Sequence, residues 1–422
     1  MKRRSLLTVA ATAGLAGCTA PSNTRGPVPD SNTDHKSAFD DYKWRHRISG
    51  GYLNVSDGML YGDKIGPEDE NDQFTGETGS GDLFSLDLQN SNLRWTQGFS
   101  GSLSNIVVKD AIYYETADDA ANSWVSAIEF DGTRRWRGPG HVTPEGRLEH
   151  VTENAVYVSD ETLKALDPNT GDLLWEFAGI GSIFDTDAGT TAETASVYGV
   201  TDSDITALNV GEGEGKVQWR YESNNDYTSF DVSDGVVYAA NNEAVVAIAD
   251  GEERWRVELS PSSSSLRIHG VASDLVLAKD DSYLYAVADG QKQWEREMTR
   301  HRRSPNRLYE GDLRIYENRI YSGKRGEQKI SAFKLDDGTE LWSTDVGSEI
   351  ESWEIVSEEQ FGSEESVFVQ TSQELQRVNP DGEITRKWTP RENPSQNEQI
   401  YDFVVDENVI VSTYSGTYAL ES

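Results

Sequence analysis

The fold of this chain is decided by the stretch Ala165-Leu166-Asp167-Pro168-Asn169-Thr170-Gly171-Asp172-Leu173-Leu174-Trp175. Its Asp, Pro, Asn and Gly residues are typical of a turn, so the stretch reads as one strand, a turn and a second strand that carries the tryptophan. The same order returns as Ala332-Phe333-Lys334-Leu335-Asp336-Asp337-Gly338-Thr339-Glu340-Leu341-Trp342. Two copies so far apart indicate that the chain is built from an internal repeat.

Other tryptophans end shorter or longer copies of this stretch. Nine of the eleven tryptophans in the chain fit the repeat: Trp44, Trp95, Trp136, Trp175, Trp219, Trp255, Trp294, Trp342 and Trp388. The small residue of the degraded copies is Ser85, Ala127, Ala207, Ala247 or Ala286, whereas Arg377 departs from this pattern. The mean spacing of about 43 residues is the length of four short strands, which is the unit of a β-propeller blade.

Each repeat also carries the signals of tight hairpins. Alternating residues from Val232 to Tyr238 are interrupted by Asp234-Gly235, a pair that supplies the positive φ angles of a two-residue turn. Because side chains alternate between the two faces of a strand, the wide tryptophan can lie over a neighbouring small residue. We therefore predict that the nine tryptophans are structural and dock blade against blade, and that they do not form a sugar-binding or cofactor-binding box.

The spacing Ala-x-Asp-x-x-Thr-Gly-x-x-x-Trp, complete at residues 165–175, resembles the tryptophan-docking motif of quinoprotein-type propellers. From residue 42 onward the chain is similar to pyrroloquinoline-quinone-like β-propeller repeat proteins. The resemblance implies an all-β fold, with a single propeller of four-stranded blades over residues 42–422. Relatives of this kind most often have eight blades, whereas the count of tryptophan-bearing strands gives nine, so both numbers stay open.

The two ends of the repeat region predict how the ring closes. The run Gly416-Thr417-Tyr418-Ala419-Leu420-Glu421 reads as a third strand without a fourth. The run Trp44-Arg45-His46-Arg47 reads as a fourth strand without a third. We expect the two to pair within one blade, because pairing removes the exposed sheet edges that an open ring would leave.

The N-terminal residues predict export and lipid attachment. Residues 1–17 have the composition of a signal peptide, and the pair Arg3-Arg4 resembles a Tat signal, with Sec export as the alternative. The run Leu15-Ala16-Gly17-Cys18 resembles a lipobox, in which the cysteine is lipidated and becomes the mature N-terminus; a coincidental cysteine is the alternative. Residues 18–41 are rich in Ser, Thr, Asn, Asp and Pro, which predicts a disordered tether.

The chain is strongly acidic. Its 38 Lys and Arg against 73 Asp and Glu give a formal net charge of −35. This charge repels phosphate backbones, so we expect no nucleic-acid partner. The acidic residues are scattered along the whole chain, which resembles the composition of proteins from salt-loving archaea; an ordinary acidic surface is the alternative. In the halophilic case the charge is an adaptation to the solvent and indicates little about the ligand.

Catalytic and metal-binding patterns are missing from the sequence. Cys18 is the only cysteine, so the vicinal cysteine pair that the resemblance to quinoprotein dehydrogenases requires cannot form, and we expect no pyrroloquinoline quinone. The six histidines show no ligand spacing, and we predict no metal site. The innermost strands, such as residues 106–108 and 230–232, look apolar and offer no set of acids, bases or ligands.

Two insertions differ from the rest of the repeat. The acidic run 67–72 could bind calcium, although the spacing of an EF-hand is missing and a hydrated loop explains it as well. Residues 296–307 contain five arginines and form a cationic island on an anionic protein. We predict that this island binds an acidic partner, a glycan carboxylate or an anionic lipid headgroup, or else pairs with the protein's own carboxylates. The candidate binding residues are Arg300, Arg302 and Arg303.

These observations favour an exported interaction platform. We expect the propeller to be lipid-anchored at the outer face of the cytoplasmic membrane and to hold another extracytoplasmic protein or a glycan without catalysis. The resemblance extends to the lipoprotein propeller of bacterial outer-membrane barrel assembly, a scaffold whose specific task we do not transfer. The alternative is an enzyme, either a quinoprotein-type dehydrogenase or a polysaccharide-acting protein, with its site in the central channel.

Overall fold

The computed structural model describes residues 42–46, 48, 50–64, 82–98, 102–117, 123–138, 147–159, 162–180, 182–187, 196–201, 204–210, 215–223, 227–259, 266–272, 274–280, 282–297, 313–357, 365–372, 374–390, 399–413 and 415–420. Within these ranges every regular element is a strand, so none of them contains a helix that could cross a membrane. The strands form nine antiparallel sheets of four strands each.

Eight sheets, blades 1 to 8, are built from four consecutive strands. Blade 1 is β2 (Gly50–Ser56), β3 (Met59–Lys64), β4 (Asp82–Asp87) and β5 (Leu93–Gly98). Blade 2 is β6 (Ser102–Val108), β7 (Ile112–Ala117), β8 (Ser123–Ile128) and β9 (Arg134–Arg137). Blade 3 is β10 (Arg147–Val151), β11 (Val156–Ser159), β12 (Thr162–Leu166) and β13 (Leu173–Ala178). Blade 4 is β14 (Ser182–Asp187), β15 (Ser196–Thr201), β16 (Asp204–Asn209) and β17 (Lys216–Tyr221).

The second half of the ring follows the same plan. Blade 5 is β18 (Ser229–Ser233), β19 (Val236–Ala240), β20 (Ala244–Ala249) and β21 (Glu252–Glu258). Blade 6 is β22 (Arg267–Ala272), β23 (Leu275–Lys279), β24 (Tyr283–Ala288) and β25 (Gln291–Glu297). Blade 7 is β26 (Leu313–Tyr316), β27 (Arg319–Gly323), β28 (Lys329–Lys334) and β29 (Glu340–Asp345). Blade 8 is β30 (Ile350–Val356), β31 (Ser366–Thr371), β32 (Leu375–Val378) and β33 (Ile384–Trp388).

Blade 9 joins the two ends of the chain. It consists of β34 (Ile400–Val405), β35 (Val409–Thr413), β36 (Gly416–Leu420) and β1 (Tyr42–His46), in that order. Strand β1 pairs antiparallel with β36, and Trp44 lies opposite Ala419. The predicted closure is therefore confirmed, as is the all-β propeller, and the count left open between eight and nine is nine.

The first strand of each blade lies at the centre of the ring. Neighbouring first strands contact each other, as β18 does with β22 and β2 with β34. Apolar clusters fill the space between adjacent blades; Tyr61 and Leu83 of blade 1, for example, pack with Ile112 of blade 2. This burial between sheets, about 25 cal/mol for each Å² of apolar surface, holds the blades in a ring.

The two faces of the ring carry different connections. We call turn face the side with the turns that join the first strand to the second and the third to the fourth. Its tight turns use residues with positive φ, such as Asp57 (50°) followed by Gly58 (72°). The opposite side, the connection face, carries the links from the second strand to the third and from blade to blade. Strand β1 begins and β36 ends on the turn face, because Tyr42 is the partner of Leu420 and third strands end on that side.

Candidate functional site

Eight of the nine repeat tryptophans occupy one register position on the outermost strand of their blade. Each lies directly opposite the small residue of the third strand, and the register shifts beside each pair, which marks a β-bulge. The pairs are Trp44 with Ala419, Trp95 with Ser85, Trp136 with Ala127, Trp175 with Ala165, Trp219 with Ala207, Trp255 with Ala247, Trp294 with Ala286 and Trp342 with Ala332. The small residue leaves room for the ring to turn toward the next blade.

These tryptophans bind the following blade at its third turn. The Trp136 indole N–H donates to the Pro168 carbonyl oxygen at 2.8 Å, and the acceptor lies three residues beyond the small residue of that blade. The same offset is kept by four more indoles: Trp44 to Leu88 (2.8 Å), Trp95 to Phe130 (2.9 Å), Trp294 to Leu335 (3.1 Å) and Trp342 to Pro380 (2.8 Å). Each bond satisfies a turn carbonyl while the ring covers the turn, so neighbouring blades are fixed in position.

A glycine in the receiving turn makes this close approach possible. A Cβ atom built on Gly171 would lie 2.7 Å from Cδ2 of Trp136, and one built on Gly382 would lie 2.6 Å from Cγ of Trp342. Real Cβ atoms do not come so close to a ring, and Gly171 also has a φ of 72°, which favours glycine. The glycine of the motif is thus explained by contact and by backbone conformation together.

Trp388 differs from the predicted docking position. In this blade the docking position is held by Arg386, which lies opposite Arg377. Trp388 lies two residues farther along the strand and pairs with Leu375. Trp388 is only 5% exposed and stacks on Phe368 with ring centroids 6.0 Å apart, so it remains part of the core. The reason lies in the next blade: β36 and β1, its third and fourth strands, are not joined by a turn on which an indole could rest.

The inner wall of the ring is more polar than the sequence predicts. Asp402 on β34 accepts hydrogen bonds from the backbone N–H groups of Leu53 and Phe403, both at 2.9 Å. Asp63 on β3 accepts one from the Gly51 N–H at 2.8 Å. Asp402 lies on an innermost strand and Asp63 on the second strand of its blade, so the innermost strands are not wholly apolar, whereas the expectation that they offer no convergent set of acids, bases or ligands stays a prediction. An isolated acid within an apolar strand, as in residues 400–405, is the signal that could have found them.

Three inner carboxyl groups are shifted toward their neutral forms. Burial raises the pKa of Asp402, against the two backbone bonds, and the Asp63 charge raises it further. Burial likewise raises the pKa of Asp63, against its bond from Gly51. Burial also raises the pKa of Glu354 on β30; Arg314 opposes this shift and Asp402 adds to it. These groups interact with one another across the inner strands, and their backbone bonds give Asp402 and Asp63 a structural role.

His269 on β22 is shifted toward its neutral form by burial and by two nearby cations. Burial, then Lys279 and then Arg267 lower the pKa of His269 to about 4. Arg267 and Lys279 lie opposite each other on β22 and β23. At neutral pH this imidazole is therefore uncharged.

Several predicted site residues lie outside the described residues. They include the export signal at Arg3 and Arg4, the lipid site Cys18, the tether 18–41 and the acidic run 67–72. The candidate binding residues Arg300, Arg302 and Arg303 also belong to this group. For the acidic run and the three arginines, the neighbouring strands show where the connecting residues attach. Residues 65–81 and 298–312 both begin and end on the connection face.

The residues present do not match a quinone site of the dehydrogenase type. Such a site needs paired cysteines and a calcium cluster, and the chain has one cysteine, at position 18, ahead of the propeller. Among the described residues, no group of three or more His, Cys, Asp or Glu side chains is arranged to hold a metal ion.

Two solved structures show similarity to this chain. Among solved structures, BamB from Moraxella catarrhalis is 13% identical, with a TM-score of 0.49 over 75% of this chain and 95% of that chain. A quinohemoprotein alcohol dehydrogenase from Pseudomonas putida HK5 is 14% identical, with a TM-score of 0.43 over 80% of this chain and 72% of that chain. No curated protein matches the sequence.

One family profile matches the sequence itself. It is described as outer membrane protein assembly factor BamB, and it matches residues 44–176, 121–241, 159–382 and 281–419. These overlapping matches run through all nine blades, from the strand of Trp44 to the strand of Ala419. The chain therefore belongs to this family of pyrroloquinoline-quinone-like β-propellers.

Proposed function

We propose that this protein is an exported, lipid-anchored propeller that holds another extracytoplasmic macromolecule without catalysing a reaction. The observation that carries the proposal is membership in a family described by an assembly factor. The ring of docked tryptophans supports it, because a scaffold must present its loops from a fixed frame. No cofactor is part of this proposal, and the partner is an acidic protein or glycan, not a nucleic acid.

The topology suggests which side meets the partner. Strand β1 begins on the turn face, so a tether over residues 18–41, attached through Cys18, would leave from that side. A flexible tether of this length has a mean span of about 25–30 Å, enough to hold the turn face near the outer surface of the cytoplasmic membrane. The connection face would then point away from the membrane, toward the partner.

The longest connections also belong to the connection face. They are residues 65–81, 298–312 and 389–399, whereas several turns on the other side have only two residues. Long loops on a rigid frame are the usual place for binding residues. Within 298–312, the guanidinium groups of Arg300, Arg302 and Arg303 suit a partner that carries carboxylates.

Affinity capture at high salt tests the proposal. The full-length protein, expressed with its signal in an archaeal host, is purified from membranes, and co-purifying proteins and glycans are identified by mass spectrometry. The matched variants are Arg300→Ser with Arg302→Ser and Arg303→Ser on the connection face, and Asp234→Ser on the turn face. We expect the first set to lose a stoichiometric partner and the second to keep it.

The result also separates anchoring from binding. Changing Cys18→Ser is expected to release the protein from the membrane fraction while partner capture persists in solution. A protein that stays with the membrane in this variant contradicts the lipid anchor. If the triple arginine variant captures the partner as well as the unchanged protein does, the connection face is not the binding face. If the unchanged protein captures no macromolecule at all, the proposal that it is an interaction platform is wrong.

A further inference from the structure

Two seams whose receiving turns are fully described lack the indole hydrogen bond that joins other blades. In blades 5 and 6 the turn between the third and fourth strands has only two residues, Asp250-Gly251 and Asp289-Gly290, all with positive φ. In blade 2 the corresponding turn runs from residue 129 to residue 133. Within the described residues, the indole N–H groups of Trp219 and Trp255, which meet the two short turns, donate no hydrogen bond.

The tryptophan also meets the short turn of blade 5 in a different way. A Cβ atom built on Gly171 would lie closest to ring atoms of Trp136, the nearest at 2.7 Å. A Cβ atom built on Gly251 would instead lie 3.1 Å from the Arg220 carbonyl oxygen and 3.2 Å from Cβ of Trp219, and its three nearest atoms include no ring atom. The seam between blades 4 and 5 therefore lacks the hydrogen bond and has a weaker contact between ring and glycine.

A polar network crosses this seam on the same strands. The Tyr221 hydroxyl on β17 donates to Oε2 of Glu253 on β21 at 2.8 Å, so the outermost strands of blades 4 and 5 are joined. Arg256, also on β21, donates to both oxygens of that carboxylate, at 2.6 and 3.2 Å. The Arg256 guanidinium donates at 3.0 Å to the hydroxyl of Tyr227 as well, which is buried in the link between the two blades. The network therefore ties together both outer strands and the segment that connects them.

The carboxylate at the centre of the network stays ionised. The hydrogen bond from Arg256 lowers the pKa of Glu253, and the bond from Tyr221 adds to this against the effect of burial. Burial and the bond to Glu253 raise the pKa of Tyr221, so its hydroxyl keeps the proton that it donates. Hydrogen bonds to an ionised group are stronger than those between neutral groups such as an indole and a carbonyl. The network can therefore hold the seam in place of the missing indole bond.

The next seam shows which residue makes the difference. Blade 6 has an ion pair at the same two positions with the charges reversed, Lys292 and Glu295, two residues before and one residue after its tryptophan. The position of Tyr221 in the preceding blade is held there by Val257, which has no side-chain donor. In the described part of the chain, the pair between Lys292 and Glu295 therefore stays within blade 6. An ion pair at these positions joins two blades only when the preceding blade supplies the hydroxyl.

We propose that Tyr221, Glu253 and Arg256 replace the indole hydrogen bond and lock blade 4 to blade 5. The two contacts are equivalent in what they hold: Tyr221 stands two residues after Trp219 on the same strand, and its bond ends on the fourth strand of the next blade. The lock is placed where a two-residue turn takes away the usual acceptor, so the seam keeps a polar bond although the motif is shortened.

A double-mutant cycle on the full chain tests the lock. The variants are Tyr221→Phe, Glu253→Ala and their combination, and the measured quantity is the equilibrium constant for unfolding in denaturant. We expect Tyr221→Phe to raise this constant about threefold or more, and to leave it unchanged when Glu253→Ala is already present. The control is Lys292→Ala, which breaks an exposed ion pair within blade 6 and should raise the constant no more than about twofold. In the Lys292→Ala background Tyr221→Phe should keep its full effect.

If a variant does not unfold reversibly, hydrogen exchange replaces the equilibrium measurement. Tyr221→Phe should speed exchange of the β17 and β21 amides and leave those of β29 unchanged. The proposal is overturned if Tyr221→Phe and Glu253→Ala act additively, if Tyr221→Phe has no effect on unfolding, or if exchange in β17 and β21 is unchanged. Each of these results would mean that the network does not carry the seam between blades 4 and 5.

Discussion

The contact between Trp136 and Gly171 gives the sharpest test of how the blades are joined. In Gly171→Ala the new methyl group would lie 2.7 Å from the indole, so the ring or the turn must move. The variant also places alanine at a φ of 72°, which costs about 1–2 kcal/mol. Overpacking adds about 1–3 kcal/mol. The expected loss in free energy of unfolding is therefore about 2–5 kcal/mol.

Gly58 is the matched control for this prediction. It has the same φ of 72°, but a Cβ atom built there has no neighbour within 4 Å. Gly58→Ala should therefore lose only the backbone cost of about 1–2 kcal/mol, reduced by the lower entropy of the unfolded chain. Both variants are measured by denaturant unfolding followed by tryptophan fluorescence. Equal losses in the two variants would show that the indole contact does not limit the turn, and would refute the docking argument.

Two further predictions concern pH. The pKa of Asp402 is higher in the folded state than in the unfolded chain, where it is near 3.8, so the folded state binds the proton more tightly. The contribution of Asp402 to the free energy of unfolding therefore falls as pH rises above about 4. Asp402→Asn should reduce this dependence on pH when denaturant unfolding is measured across a pH series. His269 acts in the opposite direction: its pKa falls from 6.5 to about 4, so its contribution is lost as pH drops from 6.5 to 4. This loss is on the order of 3 kcal/mol, and it should disappear in His269→Gln; an imidazole that titrates near 6.5 by NMR would contradict it.

The repeat predicted the fold because its signals are local. Side-chain alternation places Trp175 and Ala165 on one face, and the residues between them are compatible only with a tight turn. The same logic predicted that the run 44–47 would pair with the run 416–421, since each strand lacked its partner within its own repeat, and the two strands do pair. Sheet edges are unstable when exposed, so closure follows from the sequence once the unit is recognised.

The inner wall could not be predicted in this way. Which strand of a blade faces the centre depends on how nine blades pack around an axis, and Asp402 gains its partner Leu53 from the neighbouring blade. Seen within one blade, a carboxyl group in an apolar strand lacks enough hydrogen-bond donors. Asp402 obtains its second backbone donor only from the neighbouring blade. The sequence placed Trp388 at the docking position for a related reason. Its register depends on blade 9, where no turn joins the third and fourth strands to receive an indole.

The departures from the repeat are therefore more informative than the repeat itself. Where a turn joins the third and fourth strands, the motif is kept, because a ring lying on a glycine is the densest way to join two blades. Where β36 and β1 meet without a turn, the docking position of the preceding blade holds Arg386 instead of a tryptophan. Trp388 lies two residues farther along and packs against Phe368 in the core. The motif therefore depends on a receiving turn in the next blade, and the seam that has no such turn is packed by a different ring contact.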